Sequence, residues 1–273
     1  MNQSVNQGKA TSVAEAWRLE LKTQGYEPPA VTRRQCLKFF ILSRAWRRIL
    51  RCTGLSRFGS VRALEFGCGG GAHLVPLFAN GWLCTGVDCS SDVLERARQY
   101  VDAVRHGPCP PRGSIKFVCS DFADFETDTG IYDLTYQFGV LEHFLNDEER
   151  LGYVQKMFDA TRPGGFVVSA VPSGCHPMRS AQRERGLGGY LIPEMDYSRK
   201  IIEREMKACG AEAVEVLPHD VFGYLRLKDA HGLAKTAYKI FYYLLQAPLF
   251  RLLPAPFLDR HAYWWIAIAR KRG

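Results

Sequence analysis

Apolar positions along this chain recur with two different periods, and the change of period marks its elements. Short apolar runs at 61–66, 83–88, 115–119, 131–137 and 165–171 predict strands. Helically spaced segments at 71–80, 91–105 and 147–160 lie between them. Such strand–helix alternation predicts a parallel sheet with helices on both faces. Beyond Val171 the pattern loosens. Residues 172–197 are rich in Gly, Arg and Pro and long enough for a functional loop or cap. A helix follows at 198–209 and a strand at 211–217. The segment 232–258 is apolar and aromatic, but Pro248, Arg251, Pro254 and Pro256 interrupt it short of a membrane span. Residues 261–269 read as the last strand.

The N-terminal part has a different character. Residues 1–10 are polar, 11–23 read as a short helix carrying Trp17 and Leu21, and Pro28-Pro29 breaks the chain. Residues 33–52 then read as one basic amphipathic helix. Phe39, Leu42, Trp46, Ile49 and Leu50 share its apolar face, opposite Arg33, Arg34, Lys38, Arg44, Arg47, Arg48 and Arg51. Together with the apolar segment 232–258, this helix suits peripheral contact with an anionic bilayer, or else both pack on the core.

Chemistry concentrates at Leu64-Glu65-Phe66-Gly67-Cys68-Gly69-Gly70-Gly71, which joins the first strand to the first helix. Glycines let a backbone approach a ligand closely, and a helix start offers unpaired N–H groups. Gly67-x-Gly69-x-x-Ala72 fits a dinucleotide fingerprint, with Asp88 about 20 residues on. Glu65 argues otherwise, because a carboxylate repels a pyrophosphate. It suits a sulfonium cofactor with a free amino group. At these residues the chain resembles the class I S-adenosylmethionine (SAM) methyltransferases. Cys84–Asp88, Ile115–Phe122, Tyr132–Phe144 and Arg162–Ser169 extend the likeness in the family's order.

The resemblance implies a Rossmann-like α/β fold. Its seven-stranded, mostly parallel sheet has helices on both faces and an inserted antiparallel last strand, with N-terminal helices and a helical cap added. It also implies one domain over 1–273, divided into an extension at 1–58, a SAM-binding core at 59–171 and an acceptor-side half at 172–273. Within that half, 172–200 and 218–258 are cap segments. Cofactor contacts are expected from Glu65, Gly67, Cys68, Gly69, Gly71, Asp88 and Cys89, with Asp88 accepting the ribose hydroxyls. Asp121, flanked by Ser120 and Phe122, is expected to hold the adenine amino group. Gln137 and Phe138 are expected at the active-site edge. The alternatives are a strand-end ion pair for Glu65, a helix cap for Asp121 and plain packing for the two thiols.

Methyl transfer from a sulfonium is an in-line displacement, so the protein chiefly positions the acceptor and excludes water. A base is required only when the nucleophile carries a proton of high pKa. His143, just past the fourth strand, is the candidate base, with Glu142 beside it. The other reading of His143 is a local hydrogen bond or a place in the cofactor pocket. This Glu-His pair is similar to that of the ubiquinone-pathway methyltransferases and recurs with other small acceptors. His176, Tyr190 and Tyr197 in the predicted cap are candidate acceptor contacts, or else packing residues.

Composition narrows the rest. Of 273 residues, 47% are hydrophobic and 23% charged, as in soluble globular proteins. The net charge of +8 admits nucleic acid, an anionic membrane or an anionic substrate. Nucleic acid is disfavoured, because Gln137-Phe138-Gly139-Val140 is not the Asp/Asn-Pro-Pro-Tyr motif of base-amino methylation and no RNA-binding module is visible. Nine scattered cysteines without a Cys-x-x-Cys pair, and no signal-peptide pattern, predict a reduced, cytoplasmic protein without a metal site. The expected function is methyl transfer from SAM, leaving S-adenosylhomocysteine (SAH), to oxygen, nitrogen or carbon of a small lipophilic or aromatic metabolite. An RNA or protein methyltransferase and a SAM-binding, non-methylating cyclase are the alternatives. Glu65 disfavours an NAD-dependent oxidoreductase.

Overall fold

The computed structural model describes residues 36–106, 111–177, 179, 192–221, 232–241 and 252–273. Seven strands form one sheet: β1 (Arg62–Phe66), β2 (Leu83–Asp88), β3 (Ser114–Cys119), β4 (Tyr132–Phe138), β5 (Thr161–Pro172), β6 (Ala211–His219) and β7 (Trp264–Lys271). Their spatial order is β3-β2-β1-β4-β5-β7-β6. The first five pair in parallel, whereas β7 lies antiparallel between β5 and β6. Strand order therefore reverses at β1, and the crevice between the carboxyl ends of β1 and β4 is where such sheets bind ligands.

The helices are α1 (Phe39–Leu42), α2 (Arg44–Thr53), α3 (Leu74–Ala79), α4 (Ser91–Arg105), α5 (Asp147–Ala160), α6 (Arg199–Ala208), α7 (Gly232–Ile240) and α8 (Ala255–His261). In α4, Val93, Leu94, Ala97, Tyr100, Val101 and Val104 make one buried stripe, with Asp92 and Arg105 at the ends that suit the helix dipole. The start of α5 is fixed by Asn146, whose side chain accepts from the Glu149 N–H at 3.0 Å. Alternation along the strands divides the core in two. Ala63, Leu134 and Tyr136 face the layer holding Trp46, Leu77, Phe78 and Leu94. Leu64 and Phe66 face Met157, Phe158, Ile202 and Met206 of α5 and α6.

The N-terminal helix departs from expectation. It breaks at Ser43, whose extended backbone ends α1 and whose hydroxyl caps α2 by accepting from Trp46 N–H at 3.3 Å. Trp46, Ile49 and Leu50 are buried as their spacing predicts, but Leu42 is exposed and Phe40 is buried instead. The arginines do not share a solvent face. Arg44 is buried, and Arg48 donates to the carbonyl of Pro218, its pKa pulled down to about 10 mainly by burial. Part of the face expected to meet a bilayer is thus used inside the fold. The helix expected at 11–23, with Arg33, Arg34 and residues 242–251 of the apolar segment, lies outside the described residues. No described helix is long and apolar enough to cross a membrane. The last strand begins at Trp264, three residues later than expected, because α8 runs through His261.

Candidate active site

The turn between β1 and α3 needs glycine at alternate positions. Gly67, Gly69 and Gly71 have φ of 66°, 51° and 79°, a left-handed backbone that side chains disfavour. Space is closed as well: a Cβ at Gly67 would lie 2.4 Å from Cγ2 of Val140, and one at Gly71 2.7 Å from Cγ2 of Val75. Cys68 is buried, and its sulfur would lie 2.7 Å from a Cβ on Gly86 of β2. Its thiol therefore packs the turn onto the sheet.

Two carboxylates flank this turn. Glu65 is 2% exposed, and its Oε2 accepts from the Tyr136 hydroxyl at 3.1 Å. Burial raises its pKa well above the usual range; the tyrosine opposes that and the Asp88 charge adds to it. Asp88 is half-buried at the end of β2, accepting from Gly69 N–H and Ser90 N–H, each at 2.9 Å. The half-buried Cys89 follows, and its carbonyl accepts from Cys119 Sγ at 3.8 Å. After β3, the Ser120 hydroxyl donates to the Asp121 carbonyl, and the Asp121 carboxylate accepts from Ala123 N–H at 3.0 Å. No described helix follows Asp121 before β4, so this bond closes a turn and is not the helix cap weighed for it. Phe122 is stacked on Phe66 with centroids 4.2 Å apart, inside the second core.

At the carboxyl edge of β4, Gln137 is fully buried and spent on architecture. Its amide donates to the Ser169 hydroxyl, and its carbonyl accepts from Val140 N–H at 2.8 Å. Phe138 stacks on His73 at 4.2 Å and 16°. His73, which sequence reasoning passed over, accepts at Nδ1 from the Trp46 indole N–H at 3.1 Å. Burial lowers its pKa to about 4. Its place two residues past Gly71 was the available signal.

Beyond β4 a 3₁₀ turn, Leu141–His143, buries both Glu142 and His143, which are 2% and 3% exposed. His143 Nδ1 lies 3.2 Å from the Pro193 carbonyl, and its Nε2 is 4.0 Å from Glu142 Oε1. Burial lowers the His143 pKa below 6.5 and, with the Glu194 charge adding, raises that of Glu142 to about 8. Oε2 of Glu142 is buried without a hydrogen-bond partner among the described residues. A Cβ at Gly139 would sit 3.4 Å from Glu142 Oε1 and 3.5 Å from the Trp264 ring, so the glycine separates carboxyl and indole.

The candidate acceptor contacts divide. His176 is buried beyond β5, edge-on to Tyr263 at 5.1 Å and 6.4 Å from His261; burial, then the His261 charge, lowers its pKa. Tyr197 is fully buried, and its hydroxyl donates to Glu205 of α6 at 3.0 Å. Tyr190 lies outside the described residues. Arg179 pairs with Glu194 across the undescribed stretch 180–191.

Residues 63–165 match the family model described as a methyltransferase domain. The chain carries a methyltransferase domain. No curated protein matches it. Among solved structures, it is similar to a Haemonchus contortus phosphoethanolamine N-methyltransferase 2 in complex with SAM, at 17% identity and TM-score 0.58. That match covers 94% of this chain, which spans only 60% of the nematode protein. It is also similar to a SAM-dependent methyltransferase of Mesorhizobium loti, at 18% identity and TM-score 0.51, covering 84% of this chain and 99% of that one. A third similar structure is the complex of the Haloferax volcanii Trm112 methyltransferase activator with a methyltransferase, at 13% identity and TM-score 0.55. It covers 94% of this chain and 97% of that one. At such identities these likenesses carry the fold.

The cofactor that a methyltransferase domain implies is SAM, and the residues fit it. Glu65 is a buried carboxyl held by a single hydroxyl, with Oε1 unbonded by the described residues, as a cation would require. Asp88 is half-buried and accepts one backbone N–H on each oxygen, and a carboxylate has acceptor capacity beyond that for hydroxyls.

Proposed function

We propose that this methyltransferase domain moves a methyl group from SAM to a small acceptor carrying an O–H or N–H, releasing SAH. The acceptor sits at the carboxyl edge of β4, among Phe138, Glu142, His143 and Trp264. The observation that carries this reading is the Glu142 carboxyl, buried with Oε2 unpartnered among the described residues, in the turn directly beyond the glycine turn's neighbour Val140. Buried polar atoms in folded proteins find partners, and a protic acceptor supplies one.

Bound SAM supplies an already activated methyl group. The chain's own residues orient and shield. Glu65 takes the ammonium, Asp88 the ribose hydroxyls, and Phe138 with Trp264 presents aromatic surface that excludes water. Donation from Nδ1 to Pro193 leaves Nε2 as the acceptor nitrogen of a neutral His143, the state a general base needs.

Glu65→Gln and Asp88→Ala are expected to weaken SAM binding by at least tenfold in calorimetry without unfolding the domain; unchanged affinity overturns the cofactor assignment. His143→Ala should slow turnover while SAM affinity holds, and equal rates would reduce the histidine to a structural part. Since burial depresses the His143 pKa below 6.5, the acid limb of the rate should lie below pH 6.5, activity being lost as pH drops through the lowered pKa. Methyl-labelled SAM, incubated with the protein and a cell extract, tests the acceptor class. Label in small organic-soluble or polar metabolites supports the reading, and label in acid-precipitable material sinks it.

A further inference from the structure

We infer that His73 is a second cofactor-holding side chain, donating from Nε2 to the carboxylate at the amino-acid end of SAM. This rests on the SAM reading above. An indole N–H is a donor only, so the Trp46 contact at 3.1 Å obliges His73 Nδ1 to accept. Burial keeps the ring neutral at physiological pH. A neutral imidazole accepting at Nδ1 carries its proton on Nε2. The described residues supply no partner for that N–H, and it is not among the enclosed unpaired atoms, so it opens to space on a half-buried side chain.

Position identifies what lies there. The Tyr136 hydroxyl bonds Glu65, the Tyr136 ring meets Trp46 edge-on at 5.1 Å, and Trp46 bonds His73. Glu65 and His73 therefore bracket the glycine turn on one face of the sheet, whereas Asp88 holds its middle at Gly69 N–H. If Glu65 takes the ammonium, the carboxylate on the same carbon falls on this side. It meets a neutral donor that relieves its repulsion from Glu65 without adding a buried charge. The stack on Phe138 at 4.2 Å and the Trp46 bond fix the ring in two directions, so little side-chain freedom is left to lose on binding.

The test compares SAH with 5′-methylthioadenosine, which keeps the nucleoside and thioether but lacks the amino-acid end. In wild type and in His73→Phe, both ligands are titrated calorimetrically. The expected result is that the variant loses about tenfold to a hundredfold in SAH affinity while methylthioadenosine affinity stays the same. His73→Gln, which carries an N–H near the Nε2 position, should restore much of the loss. An equal fall for both ligands, or no fall for either, overturns the inference, and the methylthioadenosine value also checks that the variant has folded. Nitrogen-15 spectra of the ligand-free protein should show His73 protonated at Nε2 alone at pH 7; a proton on Nδ1 overturns it too. Wild-type protein that binds neither ligand defeats the SAM reading itself, a different result from wild type that binds both and a variant that does not discriminate.

Discussion

At the scale of single residues, backbone conformation and burial set the strongest constraints. Gly67 combines φ of 66° with a Cβ position 2.4 Å from Val140. Gly67→Ala is expected to cost about 2–4 kcal/mol in urea denaturation, the sum of left-handed strain and overpacking. Glu142 gives a pH signature. Its folded pKa of about 8 stands above the unfolded value near 4.5, so the folded state holds its proton more tightly. Stability is then unpenalised below the unfolded value and falls as pH rises toward 8. Glu142→Gln should flatten that slope, raising Tm at pH 8 but hardly at pH 5. The glycines and Glu65 were legible because their spacing repeats a pattern within eight consecutive residues. His73, Tyr136 and Trp46 were not, because their roles depend on a contact between a helix near residue 46 and a turn near residue 73 that no local period records. Phe122 and Tyr197 have partners that spacing equally leaves unrecorded. Both follow strands or lie in the cap, yet one ring stacks on Phe66 and the other hydroxyl belongs to Glu205.

At the scale of elements, a buried ionic clasp joins α5 to α6. Arg150, 1% exposed, donates to Glu205 at 2.7 Å, to the Phe144 carbonyl at 2.9 Å and to Asp147 at 2.6 Å. Phe144 directly follows the turn that carries Glu142 and His143, so the clasp also steadies that turn. Arg150→Met should destabilise by about 3–5 kcal/mol, since it strands Glu205 in the interior. A double-mutant cycle with Glu205→Leu should show a coupling of about 1 kcal/mol or more; additive losses would mean the two groups act independently. Element types were readable in the sequence where periods were long, as in α4 and α5, which span the expected 91–105 and 147–160. Boundaries failed where one side chain decided them. Ser43 looks like a polar residue within a helical repeat, but its hydroxyl offers the backbone a cap and starts a new helix. Residues 255–261 straddle the end of the apolar segment and the start expected for the last strand, yet Pro254 caps α8 there and delays β7.

At the scale of the whole molecule, ligand and fold are linked by mass action. SAH at a hundred times its Kd should contribute about 2.7 kcal/mol, visible as a Tm rise of roughly 5–10 °C that NAD does not produce. The overall layout was expected from the resemblance rather than from periodicity, because an antiparallel β7 between β5 and β6 leaves no mark in local spacing. That insertion governs how the protein emerges from a ribosome. Strands β1 to β5 can zip together in the order of their synthesis, but β6 finds no neighbour in the sheet until β7 has been made, since β7 is the strand it pairs with. For that interval β5 presents a bare edge and β6 is a waiting strand, the state in which nascent chains recruit chaperones or pair with one another. Stalling translation between 220 and 263 should therefore yield a protease-sensitive intermediate, and release through Lys271 should close it in one step.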